Sequence, residues 1–167
     1  HSIERQERWL NVARKRIPIK DDTRLSHVVY ERESGKEYRF TPEGPKLSDE
    51  EISACLDALR AMDCDYLVAS GSLPRGVEPD FYTRVADIAR EKGAHFVLDT
   101  SGDALKSALD HGGIHFVKPS HGEFRKLTGR DCHHADEIGA AAKRMIDDGQ
   151  AEMIAVTLGH EGAVLVD

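Results

Sequence analysis

Residues 114–123 (IHFVKPSHGE) decide the fold, because a short apolar run ends directly at a lysine and is followed by a helix-like segment that contains a glutamate. The same arrangement recurs downstream, where the apolar run 153–156 ends at residues 157–162 (TLGHEG). In an open parallel sheet, ligands bind beyond the carboxyl ends of the strands. A lysine, a carboxylate and a two-glycine loop at such ends favour an anionic, metal-bound ligand such as a nucleotide.

Strand and helix patterns alternate on both sides of this stretch. Ser48 and Glu51 have the spacing of a capping box, and a later helix starts with Pro79 and stops at Gly93. Apolar runs predict strands at residues 66–69, 95–98, 114–117, 153–156 and 163–166, and helical patterns fill the segments from Ser48 to Met62 and at 79–92, 103–110, 121–127 and 136–148. The alternation predicts an α/β domain built from parallel crossovers.

The amino-terminal third of the chain has a different pattern. Residues 1–22 are loosely compatible with an amphipathic helix that ends at Pro18. Residues 27–30 and 37–40 are β-prone and flank a plausible hairpin turn, and residues 41–45 (TPEGP) cannot continue a strand or a helix. The predicted organisation is therefore an uncertain segment 1–22, a β appendage with its linker at 23–45, and an α/β core at 46–167.

Composition excludes several classes of function. The 167 residues carry a formal net charge of −7, which argues against nucleic acid or an anionic membrane as the main partner. No apolar run approaches the roughly 20 residues that span a bilayer. Three widely spaced cysteines argue against a disulfide scaffold, and the simple inference is a cytoplasmic protein.

Each predicted strand end carries residues with two readings. Residues 70–76 (SGSLPRG) could approach a sugar closely or form an ordinary turn, and Asp99 could polarise a metal-bound water or cap the next helix. Lys118 and Glu123 suit phosphate and Mg²⁺, but both also occur for structural reasons. The loop 157–162 could bind an anion or merely join two strands as a hairpin. For each group taken alone, the structural reading is sufficient. Because all four groups are predicted to lie at the same edge of one sheet, together they favour a ligand site.

A zinc site at Cys132, His133 and His134 is a separate hypothesis. Adjacent side chains usually diverge, whereas zinc needs ligands that converge on one centre. We therefore interpret this cluster as a polar loop.

Four motifs, in this order and spacing, resemble the ribokinase-like carbohydrate kinases of the PfkB type. They are SGSLPxG at 70–76, DxS at 99–101, VKPxxxE at 117–123 and TLGxxGA at 157–163. Residues 38–40 (YRF) and the proline-containing linker are most similar to the phosphofructokinase branch, and the resemblance covers residues 23–167. It implies a three-layer parallel sheet with helices on both faces and part of a small β lid, incomplete at both ends.

The resemblance also implies ATP-dependent phosphorylation of a sugar phosphate, with fructose 6-phosphate as the first candidate and Mg²⁺ as cofactor. A non-catalytic module that binds a nucleotide or a sugar phosphate is the alternative. The β lid implies a homodimer in which lids pair. By position, the implied substrate contacts are Arg24 and Ser72, the nucleotide contacts are Lys118, Ser120, Thr157, Gly159 and Gly162, and the metal contacts are Glu123 and Asp99.

Three features depart from the family pattern. Ser120 stands where asparagine is usual, and residues 1–22 do not resemble the glycine-rich sugar-binding segment. The Gly-Ala-Gly-Asp motif, which carries the family's catalytic base and anion hole, would lie beyond Asp167. Because phosphoryl transfer depends on positioning and charge stabilisation, we expect this chain alone to be inactive.

Overall fold

The computed structural model describes residues 13–167. The amino-terminal part of the predicted helix within 1–22 lies outside these residues, and residues 13–22 contain no helix or strand. The strands are β1 (His27–Glu31), β2 (Lys36–Phe40), β3 (Tyr66–Ser70), β4 (His95–Asp99), β5 (Ile114–Val117), β6 (Ala151–Thr157) and β7 (Ala163–Val166). The α-helices are α1 (Asp49–Ala61), α2 (Phe81–Lys92), α3 (Gly102–His111), α4 (His121–Thr128) and α5 (Ala135–Asp147).

The main sheet has five strands in the order β3-β4-β5-β6-β7 and is flanked by helices. The first four strands are parallel, so the predicted α/β architecture is confirmed. The last strand differs in direction, because β7 runs antiparallel to β6, as the hairpin reading of residues 157–162 requires. Its connection contains one short 3₁₀ helix at Gly159–Glu161, whereas a parallel connection needs about a dozen residues or more.

The core lies between the sheet and the helices. Phe96 and Leu98 of β4 and Ile154 of β6 are almost completely buried. Every helix contributes at least one buried apolar side chain: Leu56, Val85, Leu105, Phe124 and Ile138 come from α1 to α5 in turn. Complete burial of such a side chain stabilises the fold by about 1.5–3 kcal/mol. The buried side chains therefore determine which face of each helix packs against the sheet.

The helix ends follow the sequence signals with one correction. Ser48 and Glu51 form the predicted capping box, and Gly93 ends α2 in the left-handed conformation with φ 69°. Pro79 does not begin α2, which starts at Phe81. A turn precedes the helix, since the Phe81 amide donates to the Glu78 carbonyl at 3.0 Å.

The predicted hairpin at residues 27–40 is confirmed as a separate two-stranded antiparallel sheet. All ten strand residues are exposed. They include five large apolar or aromatic side chains on both strands: Val28, Val29, Tyr30, Tyr38 and Phe40. An isolated two-stranded hairpin is only marginally stable in water, so a surface that covers its apolar side chains would stabilise it.

No helix within residues 13–167 is long and apolar enough to cross a membrane. The three cysteines are free thiols, as predicted. Cys55 is half-buried on α1, and burial raises the pKa of its thiol.

Candidate active site

Two oppositely charged side chains meet where β4 and β5 end. The Nζ atom of Lys118 lies 3.2 Å from Oδ1 of Asp99, and both side chains are a little over 40% exposed (42% and 44%). The Lys118 amide donates to the Leu98 carbonyl at 3.3 Å, which extends the strand pairing to this point. Asp99 therefore does not cap α3: the cap position is Ser101, and the carboxylate pairs with the lysine instead.

Ser120 and Glu123 hold each other at the start of α4. The Glu123 Oε2 atom accepts hydrogen bonds from the Ser120 amide at 2.8 Å and from its hydroxyl at 2.7 Å. The Glu123 amide donates back to the Ser120 hydroxyl oxygen at 3.4 Å, which completes a capping box. Serine and asparagine are both strong N-cap residues, and Ser120 fills this position here.

Thr157 lies beside this helix start. Its amide donates to the Pro119 carbonyl at 3.0 Å, and Ser120 and Thr157 form an isolated parallel bridge. The structure thus brings together the ends of β5 and β6. Four of the predicted nucleotide and metal residues lie along this stretch: Lys118, Ser120, Glu123 and Thr157.

The glycine loop after β6 is a hairpin that joins antiparallel strands. Gly159 and Gly162 have φ angles of 64° and 103°, which L-residues rarely adopt. The Leu158 amide donates to the Gly162 carbonyl at 2.8 Å and closes the loop. A Cβ atom at either glycine would meet nothing within 4 Å, so it is the backbone conformation that requires glycine, and the space beside both residues is open.

The two predicted sugar-phosphate contacts also meet. The Arg24 Nη2 atom donates to the Ser72 hydroxyl at 3.2 Å, although 48 residues separate them. The Gly71 amide donates to the Asp99 carbonyl at 2.8 Å. Ser72 therefore directly follows a residue whose amide is bonded to the end of β4. The predicted sugar contacts and the predicted phosphate contacts thus lie at the same end of the strands.

Sequence reasoning missed two residues that fix this loop. The Tyr82 hydroxyl donates to the Gly71 carbonyl at 2.7 Å, and the buried Thr100 hydroxyl donates to the same oxygen at 2.9 Å. Burial raises the pKa of Tyr82, which keeps its hydroxyl a donor. Thr100 follows Asp99 and was visible as a hydroxyl at a strand end. Tyr82 lies within a helix, and its local sequence contains no sign of this contact.

The Cys132 region holds no metal-ligand group. Residues 131–134 form a loop, as interpreted, and Cys132 alone among the four is buried. Its carbonyl lies 2.6 Å from Nε2 of His121, and the His133 ring pairs with Asp131 at 3.1 Å. Within the described part of the chain, one group of three convergent metal-ligand side chains occurs, and it lies elsewhere.

A sequence model of the pfkB family carbohydrate kinases matches residues 2–167. The chain belongs to this family. An ATP-dependent 6-phosphofructokinase isozyme 2 of Mycobacterium tuberculosis is 44% identical over 151 residues, which cover 89% of the chain and 44% of the relative. The predicted family and fold are thereby confirmed.

Two solved structures of Escherichia coli phosphofructokinase-2 share the fold of this PfkB chain. A complex with fructose-6-phosphate has a TM-score of 0.79 at 34% identity and covers 85% of the chain and 47% of that protein. A tetrameric inhibited form has a TM-score of 0.87 at 32% identity, with coverages of 99% and 55%. The chain thus spans about half the length of these relatives.

The donor chemistry of the site fits a nucleotide with Mg²⁺. Lys118 is a mobile cation suited to phosphate, and the Asp99 and Glu123 carboxylates are hard oxygen ligands of the kind that Mg²⁺ prefers. Glu123 uses Oε2 for the Ser120 cap, and Oε1 is the oxygen that the cap does not use.

Proposed function

We propose that the whole protein transfers a phosphoryl group from ATP to fructose 6-phosphate. One observation carries the proposal: the Gly71–Asp99 hydrogen bond of 2.8 Å sets the Arg24–Ser72 pair beside the Asp99–Lys118 pair at one sheet edge. A phosphate donor and a sugar acceptor held at that edge would be neighbours, and proximity supplies much of the catalysis in phosphoryl transfer.

Each side chain has a role in this proposal. Lys118 stabilises phosphate charge, while Ser120, Thr157 and the loop with Gly159 and Gly162 line the nucleotide. Arg24 holds the phosphate of the acceptor, and Ser72 orients its sugar. Asp99 and Glu123 would hold the metal. Mg²⁺, when bound, neutralises charge that develops on the transferring phosphoryl group.

We also propose that the 167-residue chain alone has no appreciable kinase turnover. The support is that the chain spans about half the length of the relatives it matches. A cytoplasmic location stays a prediction from the cysteine content.

The activity test uses the full-length protein and the 167-residue chain in parallel. ATP-dependent product formation is measured with fructose 6-phosphate, fructose 1-phosphate and tagatose 6-phosphate. We expect turnover by the full-length protein, with the highest kcat/KM for fructose 6-phosphate, and none by the chain. Arg24→Ala should raise KM for the sugar phosphate far more than KM for ATP. Tight binding of ATP by the full-length protein without turnover on any of the three sugars would favour the alternative binding module.

The hairpin supports a second part of the proposal, a homodimer formed through the lids. Val28, Tyr30 and Phe40 are each more than half exposed (53%, 62% and 59%), and apolar residues on both strands could be covered by a second copy. The test is the molar mass of the full-length protein by light scattering. Tyr30→Ser combined with Phe40→Ser should yield monomers, whereas Leu165→Ser, which changes an exposed apolar residue of the main sheet, should not.

A further inference from the structure

Three side chains with metal-binding atoms converge on β4, β5 and β6, away from the candidate active site. They are His95, His115 and Glu152, and one ligand atom from each lies within 4.8 Å of the others. The His115 Nδ1 atom is 2.6 Å from Oε2 of Glu152, and the two imidazole rings are 4.1 Å apart between centroids. We call these three residues the His–His–Glu cluster.

The fold places the cluster at the opposite edge of the sheet from the predicted phosphate site. His95 is the first residue of β4, whereas Asp99 is the last. His115 and Glu152 are the second residues of β5 and β6. Strands rise about 3.3 Å per residue, so His95 and Asp99 are separated by roughly 13 Å along β4. The cluster is therefore independent of any Mg²⁺ that accompanies a nucleotide.

The donor set determines which ion fits. Two imidazole nitrogens and one carboxylate oxygen suit Zn²⁺ and similar transition metals, while Mg²⁺ and Ca²⁺ prefer all-oxygen sites. Zinc bonds of about 2.0–2.2 Å put neighbouring ligand atoms roughly 3–4 Å apart, a spacing inside the range that the cluster spans. Because the Glu152 side chain is 70% exposed, its carboxylate can move away from His115 to admit an ion.

The surroundings of the cluster restrict its histidines. The Tyr66 ring packs on His95 at 4.9 Å between centroids and meets the edge of His115 at 6.0 Å. The His115 side chain is only 18% exposed. Two of the three ligands are thus held by neighbouring rings on a rigid sheet, and ligands fixed in this way cost less to order when a metal binds.

We propose that the His–His–Glu cluster binds one zinc-type divalent cation, with water completing the coordination. The ion would join three adjacent strands at their amino-terminal ends. Anything that binds the folded state alone raises stability by mass action. With Zn²⁺ in about hundredfold excess over its Kd, the Tm of the chain should rise by roughly 5–10 °C.

The test adds Zn²⁺ or Co²⁺ alone to the metal-free chain and follows bound metal by equilibrium dialysis, Tm, and visible absorption of Co²⁺. We expect one ion per chain, and a Co²⁺ spectrum typical of low-coordinate nitrogen and oxygen ligands. Millimolar Mg²⁺ should not displace the ion. Glu152→Gln keeps the shape of an exposed side chain and should weaken binding at least about tenfold, as should His95→Asn.

His133→Asn is the matched control, because it removes another exposed histidine that contacts a carboxylate, Asp131, outside the cluster. The control should bind metal as the unchanged chain does. Equal affinity in the unchanged chain, Glu152→Gln and His95→Asn would overturn the proposal. So would six-coordinate, water-like Co²⁺ absorption in the unchanged chain, which needs no variant to fold.

Discussion

Replacing Lys118 by methionine should damage nucleotide binding far more than folding. The Asp99–Lys118 pair is a little over 40% exposed on each side, and exposed ion pairs contribute at most about 1 kcal/mol. A charged hydrogen bond to a phosphate is worth about 1.5–3 kcal/mol, which corresponds to a loss of roughly 10- to 150-fold in affinity for ATP. Methionine retains most of the length of the side chain without the charge.

The assay combines titration calorimetry of Mg²⁺-ATP into the full-length protein with urea unfolding of the same samples. Asp99→Asn is the control, because it removes the partner of the lysine and keeps the lysine. Asp99→Asn should reduce the gain in ATP affinity that Mg²⁺ provides. The affinity for metal-free ATP should stay unchanged or rise. An affinity within twofold of the unchanged protein for Lys118→Met would refute the assignment of Lys118. A loss of unfolding free energy well above about 1 kcal/mol would refute the reasoning from exposure.

Three further predictions concern the stability of the folded chain. Thr100→Val and Tyr82→Phe should each lower the free energy of unfolding in urea by about 1 kcal/mol. The double variant should lower it by more than the sum, because the Gly71 carbonyl then loses both protein donors. Simple additivity of the two losses would contradict this. Ser120→Ala should lower stability by about 0.5–2 kcal/mol while Ser120→Asn should not, since only alanine lacks a capping oxygen; equal losses would argue against the cap. Burial raises the pKa of Cys55 and Tyr82 above their ordinary values of 9.0 and 10.0, so the folded state holds these protons more tightly than the unfolded chain. Stability should be full below about pH 9, decline above pH 9 through Cys55 and decline further above pH 10 through Tyr82. Cys55→Ala should remove the earlier part of the decline, and a flat urea midpoint from pH 8 to 10.5 would contradict the prediction.

Much of the fold could be predicted because local signals and tertiary packing agree. Apolar-rich runs of four residues located every strand of the main sheet, and the Ser48–Glu51 spacing located a helix start. The antiparallel direction of β7 follows from the short connection between β6 and β7, because a parallel strand would need a longer crossover. Pro79 was a weaker indicator of a helix start, because proline is also common in turns such as the one that precedes α2.

The candidate site could be predicted only where its groups follow strand ends. Asp99, Lys118 and Thr157 are each the last residue of a strand or the first after one, so parallel topology alone brings them to a common edge. Contacts between side chains of different elements left no such trace. The Tyr82 bond and the His–His–Glu cluster each join residues from separate elements, and their sequence neighbours give no hint of the partner.

The two hydroxyls that converge on the Gly71 carbonyl have a consequence for how sugar preference would change. Tyr82 belongs to the buried stripe of α2, so the segment that presents Ser72 is tethered to the protein interior. Because interiors are close-packed, substitutions that shift the packing around α2 would also move that segment. In a selection for a new acceptor, we therefore expect adaptive changes to emerge inside the domain, around the tyrosine, as readily as at the rim where we propose that the sugar binds.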